Sequence, residues 1–84
     1  MDFGQALTAL KSGKRVSRSG WNGKGMFVYL VPAGVYPART DAAKTIGERV
    51  SYNPYLAIKN VDGSVSTWVP SVNDCLAEDW EVFV

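Results

Sequence analysis

The stretch "GWNGKG", Gly20 to Gly25, sets three glycines around an aromatic ring, a carboxamide and an ammonium. Glycine tolerates positive φ and lets a ligand approach the backbone with no Cβ in the way. An indole face beside a mobile ammonium suits a planar base or nicotinamide-like ring carried next to a phosphate. A structural account covers part of the motif, because Asn22-Gly23 is a favoured hairpin-turn pair. It leaves Trp21 and Lys24 unexplained, so on the residues alone a turn and a ligand loop both stand. The motif is not a P-loop: it lacks the GxxxxGK[ST] spacing and runs into the strand pattern "MFVYLVP" instead of a helix.

A second place for an anion is Ser71, which opens a short helical turn with Asp74 three residues on. Free N–H groups at such a start attract phosphate, although Ser71 capping its own helix explains the same residues. Trp68 lies three residues earlier and offers a flat surface close by. Catalytic chemistry has little to work with. The chain has no histidine, which rules out Ser/His/Asp and Cys/His nucleophile pairs and a Cys/His metal site. The single cysteine, Cys75, sits in "VNDCLAED" and is expected to be a small buried hydrophobe. Asp74, Glu78, Asp79 and Glu81 could form a carboxylate pair, but such residues around a short surface helix are more often solvated or paired with lysine and arginine.

Charge is segregated although the net is only +1. Lys11, Lys14, Arg15, Arg18 and Lys24 form a basic segment, and the four carboxylates from Asp74 to Glu81 form an acidic one. Either the two segments attract each other, within one subunit or across an interface, or the basic one meets an anionic ligand. A near-neutral chain is a poor candidate for coating nucleic acid. At 84 residues, with 46% hydrophobic content, it is expected to be a single domain over 1–84. Folding at this size buries only roughly 60% of the unfolded surface. Self-association is the expected remedy, with ten aromatic residues to serve it. No apolar run is long enough for a membrane helix, no signal peptide is visible, and a lone cysteine fits a reducing compartment, so a cytoplasmic protein is expected.

The elements that must position these residues follow from periodicity. Phe3, Ala6, Leu7 and Leu10 lie on one face of a helix over Asp2–Ser12, with Asp2 and Gln5 as a capping box and Gly13 as the stop. "RVSRS" is expected to be a short edge strand and "MFVYLVP" a central strand ended by Pro32. Ala33–Asn53 has no sustained period and is expected to hold turns, or one helical turn near Ala42–Ile46. "YLAIKNV" and "SVSTWV" flank Asp62-Gly63, which predicts a type I′ hairpin. That loop would pair Ile58 with Thr67 and Ala57 with Trp68. Leu56, Ile58, Val65, Thr67 and Val69 would then face the core, and Trp68 the opposite, less apolar side. Val72 and Leu76 are expected to face inward from the helical turn after Ser71. "WEVFV" would close the chain as a strand, with Trp80, Val82 and Val84 on one face. The expected fold is α+β, an N-terminal helix packed on a four- or five-stranded, mainly antiparallel sheet.

Two blocks, "FGQALTALKSGKRVSRSGWNGKGMFVYLVP" and "DGSVSTWVPSVNDCLAEDWEVFV", resemble the Thoeris anti-defence two family of short phage and prophage proteins. The resemblance covers nearly the whole chain apart from Ala33–Asn53. It implies a sponge and not an enzyme: a homotetramer that binds cyclic ADP-ribose isomers made by Thoeris TIR proteins and holds them uncleaved, silencing the effector. It also implies nucleotide pockets between subunits, cyclic dinucleotides at a separate site for some members, and action in the cytoplasm of the infected bacterium. Trp21, Asn22, Gly23 and Lys24 match the family's loop; Trp68, Asp74, Asp79 and Trp80 match its C-terminal block. The chain has "SRSGWNGKG" where the family pattern is "ARKGWNGKG", and "WVPSVNDCLA" where it is "WLASQTDMLA". The expected ligand-binding residues are Arg18, Trp21, Asn22, Gly23, Lys24, Trp68, Ser71 and Asp74. No catalytic residue, metal, cofactor, nucleic acid or membrane is expected. The other reading is a small module that binds a host or phage protein through an aromatic sheet face, the one carrying Trp68.

Overall fold

In the computed structural model, which describes residues 1–83, helix α1 (Phe3–Lys11) begins where the capping box places it. The Asp2 carboxylate accepts from the Gln5 N–H at 2.8 Å, and the Gln5 side chain accepts from the Asp2 N–H at 2.9 Å. Gly13, at φ 91°, turns the chain out of the helix in a conformation that costs glycine little. Ala6 and Leu10 on the apolar stripe are fully buried.

Seven strands follow: β1 (Val16–Arg18), β2 (Phe27–Val31), β3 (Gly34–Pro37), β4 (Arg49–Tyr52), β5 (Tyr55–Lys59), β6 (Val65–Thr67) and β7 (Trp80–Val82). Two short helices, α2 (Asp41–Lys44) and α3 (Val72–Leu76), punctuate them. Five strands form an antiparallel sheet in the order β6-β5-β2-β1-β7, so the fold is α+β with β2 at its centre, as the sequence predicts. The expectation that β1 lies at an edge is corrected. It sits between β2 and β7, with Val16 opposite Val28 on one side and Val82 on the other. The C-terminal strand takes the edge, which buries Val16 and Ser17. The expected place of Val84 on that strand lies outside the described residues. α1 packs across β1, β2 and β7, and the core cluster is Ala6, Leu10, Val16, Val28 and Trp80.

The hairpin β5–β6 forms, but one residue out of the expected register. Lys59 faces Val65, Ile58 faces Ser66 and Ala57 faces Thr67. A type I′ turn needs positive φ at both central residues. Here φ is positive at Gly63 (89°) and not at Asp62. The loop is therefore Val61–Gly63, closed by Asn60 N–H donating to Ser64 O at 2.8 Å. The Asp62 carboxylate accepts from the Ser64 N–H and hydroxyl, which hold its carboxyl below the usual range. A slip of one residue exchanges the two faces of a strand. Trp68 thus lies on the α1 side, packed against the core with Leu56 and Ile58, while Val65 and Val69 point away and are exposed.

Ala33–Asn53 is more ordered than its sequence suggests. β3 and β4 pair as a separate two-stranded arm, Gly34 opposite Tyr52 through Pro37 opposite Arg49. The expected helical turn is α2, capped by Thr40, whose hydroxyl accepts from the Ala43 N–H. Tyr36 and Tyr52 stand edge to face on the arm at 5.9 Å, beside a cleft of about 330 Å³ that also involves Arg39 and Tyr55. On the sheet face away from α1, the Arg15 guanidinium lies between the rings of Phe27 and Phe83, 4.9 and 4.8 Å from their centroids.

Candidate functional site: a tryptophan cleft closed by a charged clasp

The sheet order brings the β1–β2 loop, which carries "GWNGKG", beside the end of β6 and the start of α3. Trp21 is half-buried against two other indoles. Its ring stands edge to face with Trp80 at 5.4 Å and with Trp68 at 6.4 Å. Trp68 and Trp80 meet at 6.0 Å, and Phe3 from α1 touches both. Such tilted aromatic pairs contribute about 0.5–1.5 kcal/mol each beyond the area they bury. Trp80, 2% exposed, forms the base of the cluster, and its indole N–H donates to the Asp74 carbonyl at 2.9 Å.

Above this base opens a shallow cleft of about 380 Å³. Trp21, Asn22, Gly23, Trp68 and Asp74 line it together with Met26 and Ile58. Five of the eight residues expected from sequence therefore converge on one surface. The other three lie around it. Lys24 is exposed on the same loop, one residue past the lining. Ser71 is engaged in its own cap: its hydroxyl accepts from the Asp74 N–H, and its N–H donates to the Asp74 carboxylate. Arg18 sits behind the cleft, its Nη1 donating to Asp74 at 2.9 Å and its Nε to Asp79 at 2.8 Å.

Within one chain, Arg18 of the basic segment thus meets Asp74 and Asp79 of the acidic one. The hydrogen bonds that Arg18 donates to Asp79 and then to Asp74 outweigh burial and raise its pKa above its ordinary value. For Asp79, the Arg18 bond outweighs the effect of burial, aided by the Gly20 N–H, and the carboxyl is held below the usual range. Burial opposes the charge on Asp74, yet the bonds from Ser71 and Arg18 win and its carboxyl is lowered too. All three groups are ionised at neutral pH.

The glycines of the loop make room for the protein's own side chains. A Cβ on Gly23 would collide with Met26 Sδ and would lie 2.6 Å from Val61 Cγ2; one on Gly20 would lie 2.9 Å from the Asp79 carboxylate. Only Gly25 of the three uses positive φ, at 76°. Met26 and Ile58 were not foreseen as lining residues, since nothing but apolar strand periodicity marks them. Two expectations about α3 are overturned. Val72 and Leu76 are 73% and 76% exposed, and Cys75 is exposed as well. The helix is held by polar bonds at Asp74, so it turns that side to the body and its apolar side outward.

Comparison with known proteins now bears on this surface. The family model of the Tad2-like, or Thoeris anti-defense 2-like, domain matches residues 1–83. The chain belongs to the Thoeris anti-defense 2-like family. It is similar to Thoeris anti-defense 2 of Bacillus phage SP01, with 41% identity over 85 residues, covering 98% of this chain and 93% of that protein. The match to the Tad2-like domain takes in the loop, the tryptophan cluster, the clasp and the arm, all of which lie within residues 1–83. Among the described residues of this family member, no helix is long and apolar enough to cross a membrane.

Proposed function

We propose that this member of a Thoeris anti-defence family acts as a phage or prophage sponge: it captures a cyclic ADP-ribose isomer, or a related cyclic nucleotide, in the tryptophan cleft and holds it uncleaved. Sequestration of the signal keeps the Thoeris effector silent in the cytoplasm of the infected cell. The observation that carries the reading is the joint placement of Trp21, Trp68, Asn22 and Asp74 on one cleft, with Lys24 exposed on the loop that carries Trp21. Indole faces stack bases, a carboxamide reads ring edges, and an ammonium meets a pyrophosphate. The use of the cleft's carboxylate supports binding without turnover. Asp74 is bonded to Arg18 and to the Ser71 N–H, which leaves it poorly placed to accept a proton.

The cleft is shallow, and tight ligands are usually buried over most of their surface. Beside it, Val69 at 85% exposed joins Val72 and Leu76 in an uncovered apolar flank. In this reading a second copy of the chain covers that flank and closes the pocket, within a homotetramer.

Titration calorimetry tests the proposal with a panel of cyclic ADP-ribose isomers, cyclic dinucleotides and linear ADP-ribose. At least one cyclic member is expected to bind with a Kd of roughly 1 μM or tighter, and linear ADP-ribose far more weakly. Absence of heat across the whole panel contradicts the reading. The competing reading, a protein-interaction module, draws on the other sheet face, where Phe27 and Phe83 flank Arg15.

A further inference from the structure

We propose that Asp79, which does not line the cleft, is the positioning residue that sets the Trp21 loop in its binding shape before any ligand arrives. The proposal rests on the reading of the cleft as a nucleotide site and concerns how that site is held.

Two sets of hydrogen bonds hold the loop between β1 and β2: Lys59 Nζ donates to the Gly25 carbonyl at 3.2 Å at its far end, and the bonds at its near end gather at Asp79 and Arg18. Asp79 Oδ2 accepts from the Gly20 N–H at 2.9 Å, and the Asp79 carbonyl accepts from the Ser19 N–H at 3.1 Å. Asp79 Oδ1 accepts from Arg18 Nε at 2.8 Å, and the Arg18 carbonyl accepts from the Trp21 N–H at 3.1 Å. Of three consecutive loop amides, the middle one, Gly20, is held by the Asp79 carboxylate, and Ser19 and Trp21 on either side bond to the backbone carbonyls of Asp79 and Arg18. Arg18 then reaches Asp74 on the cleft wall at 2.9 Å. One charged chain thus links the loop that carries one indole to the helix that closes the other side.

Gly20 belongs to the device. Its missing Cβ is what lets the carboxylate come within hydrogen-bond range of the backbone, since a Cβ there would sit 2.9 Å from Asp79 Oδ2. The arrangement is also partly withdrawn from water, with side-chain exposures of 22% for Arg18, 30% for Asp79 and 13% for Asp74. An isolated surface ion pair contributes little to global stability. A carboxylate that ties the Gly20 N–H of the loop to Arg18 at the end of β1 acts locally: it lowers the entropy the loop must lose on binding.

The test is Asp79→Asn, which keeps the shape. Its single acceptor oxygen can serve the Gly20 N–H or Arg18 Nε but not both, and its NH2 turns a donor toward the other. Amide hydrogen exchange in the ligand-free chain is read first. Exchange at Gly20 is expected to quicken roughly tenfold or more, as loss of a bond to a charged group allows, with exchange at Trp21 quickening in turn as the loop loosens, while Val16 and Val28 keep their protection. Affinity for the cyclic ADP-ribose isomer that the unaltered chain binds is expected to fall roughly tenfold, chiefly through slower association. Unchanged exchange at the loop amides overturns the proposal. So does unchanged affinity with a loosened loop, and so does equal loss of protection at Val16 and Val28. Where D79N does not fold, Arg18→Lys, which keeps the charge but loses the two-pronged geometry, is read in the same way. An unaltered chain that binds none of the nucleotides contradicts the function proposed above, and loop exchange in the ligand-free chain then decides the role of Asp79 by itself.

Discussion

Replacing Trp21 with alanine is expected to weaken cyclic-nucleotide binding by roughly 10- to 100-fold while leaving the chain folded. Stacking of a base on an aromatic side chain is worth about 1–3 kcal/mol, and Trp21 is the indole whose position depends on a glycine loop. Its own contribution to the fold is of similar size, within what a small domain can lose and stay folded. It is half-buried, and the pairs it makes with Trp68 and Trp80 are of a kind worth about 0.5–1.5 kcal/mol each. The core residues Ala6, Leu10, Val16 and Val28 remain packed without it. Trp21→Phe keeps a stacking face and should recover part of the affinity. Calorimetry paired with urea unfolding separates the two roles. A variant that is unfolded, with binding lost in proportion to the unfolded fraction, would show Trp21 to be a structural residue.

Trp80→Ala should have the opposite profile. Trp80 is 2% exposed, touches Phe3, Trp21 and Trp68, and satisfies the Asp74 carbonyl through its indole N–H. Removing a buried tryptophan costs about 3–5 kcal/mol, and the orphaned carbonyl adds to that. Small domains have only on the order of 5–15 kcal/mol to lose. The variant is expected to be largely unfolded or to unfold at far lower urea concentration. Trp80→Phe keeps most of the packing but strands the Asp74 carbonyl, a penalty of about 1–3 kcal/mol. An alanine variant that loses less than about 1 kcal/mol would contradict the placement of Trp80 at the base of the cleft.

How far this structure was legible depended on whether the signal was local. The capping boxes Asp2–Gln5 and Ser71–Asp74 each need only four consecutive residues, and both form as the sequence predicts. The partnership of Arg18 with Asp74 and Asp79 was visible only as segregated charge, because nothing local names the partner. The tryptophan cluster was hidden by a single dihedral. Asp62-Gly63 has the composition of a two-residue turn, but Asp62 keeps negative φ and spends its carboxylate on Ser64, so the loop takes a third residue. That places Trp68 beneath Trp21 instead of on the far side of the sheet. The arm escaped for a different reason. Its strands are four residues each, and Pro32, Pro37 and Pro54 interrupt or flank them, so no run was long enough to show a period of two.

The loop glycines also changed meaning. In sequence they suggest open space for a ligand, whereas Gly20 and Gly23 admit the Asp79 carboxylate and the Met26 side chain. In the proposed function, ligand recognition then falls to Trp21, Asn22 and Trp68, and the glycines are the means by which the loop is packed.

The measurement that bears most directly on capture without turnover is the chemical identity of what the protein releases. The chain is incubated with the cyclic ADP-ribose isomer it binds, freed of unbound ligand, and denatured by heat. The supernatant is then resolved by chromatography and mass spectrometry. The account predicts intact cyclic nucleotide, recovered in proportion to the protein and unchanged after prolonged incubation. Linear ADP-ribose or mononucleotides accumulating with time would contradict it and make the cleft the active site of a hydrolase.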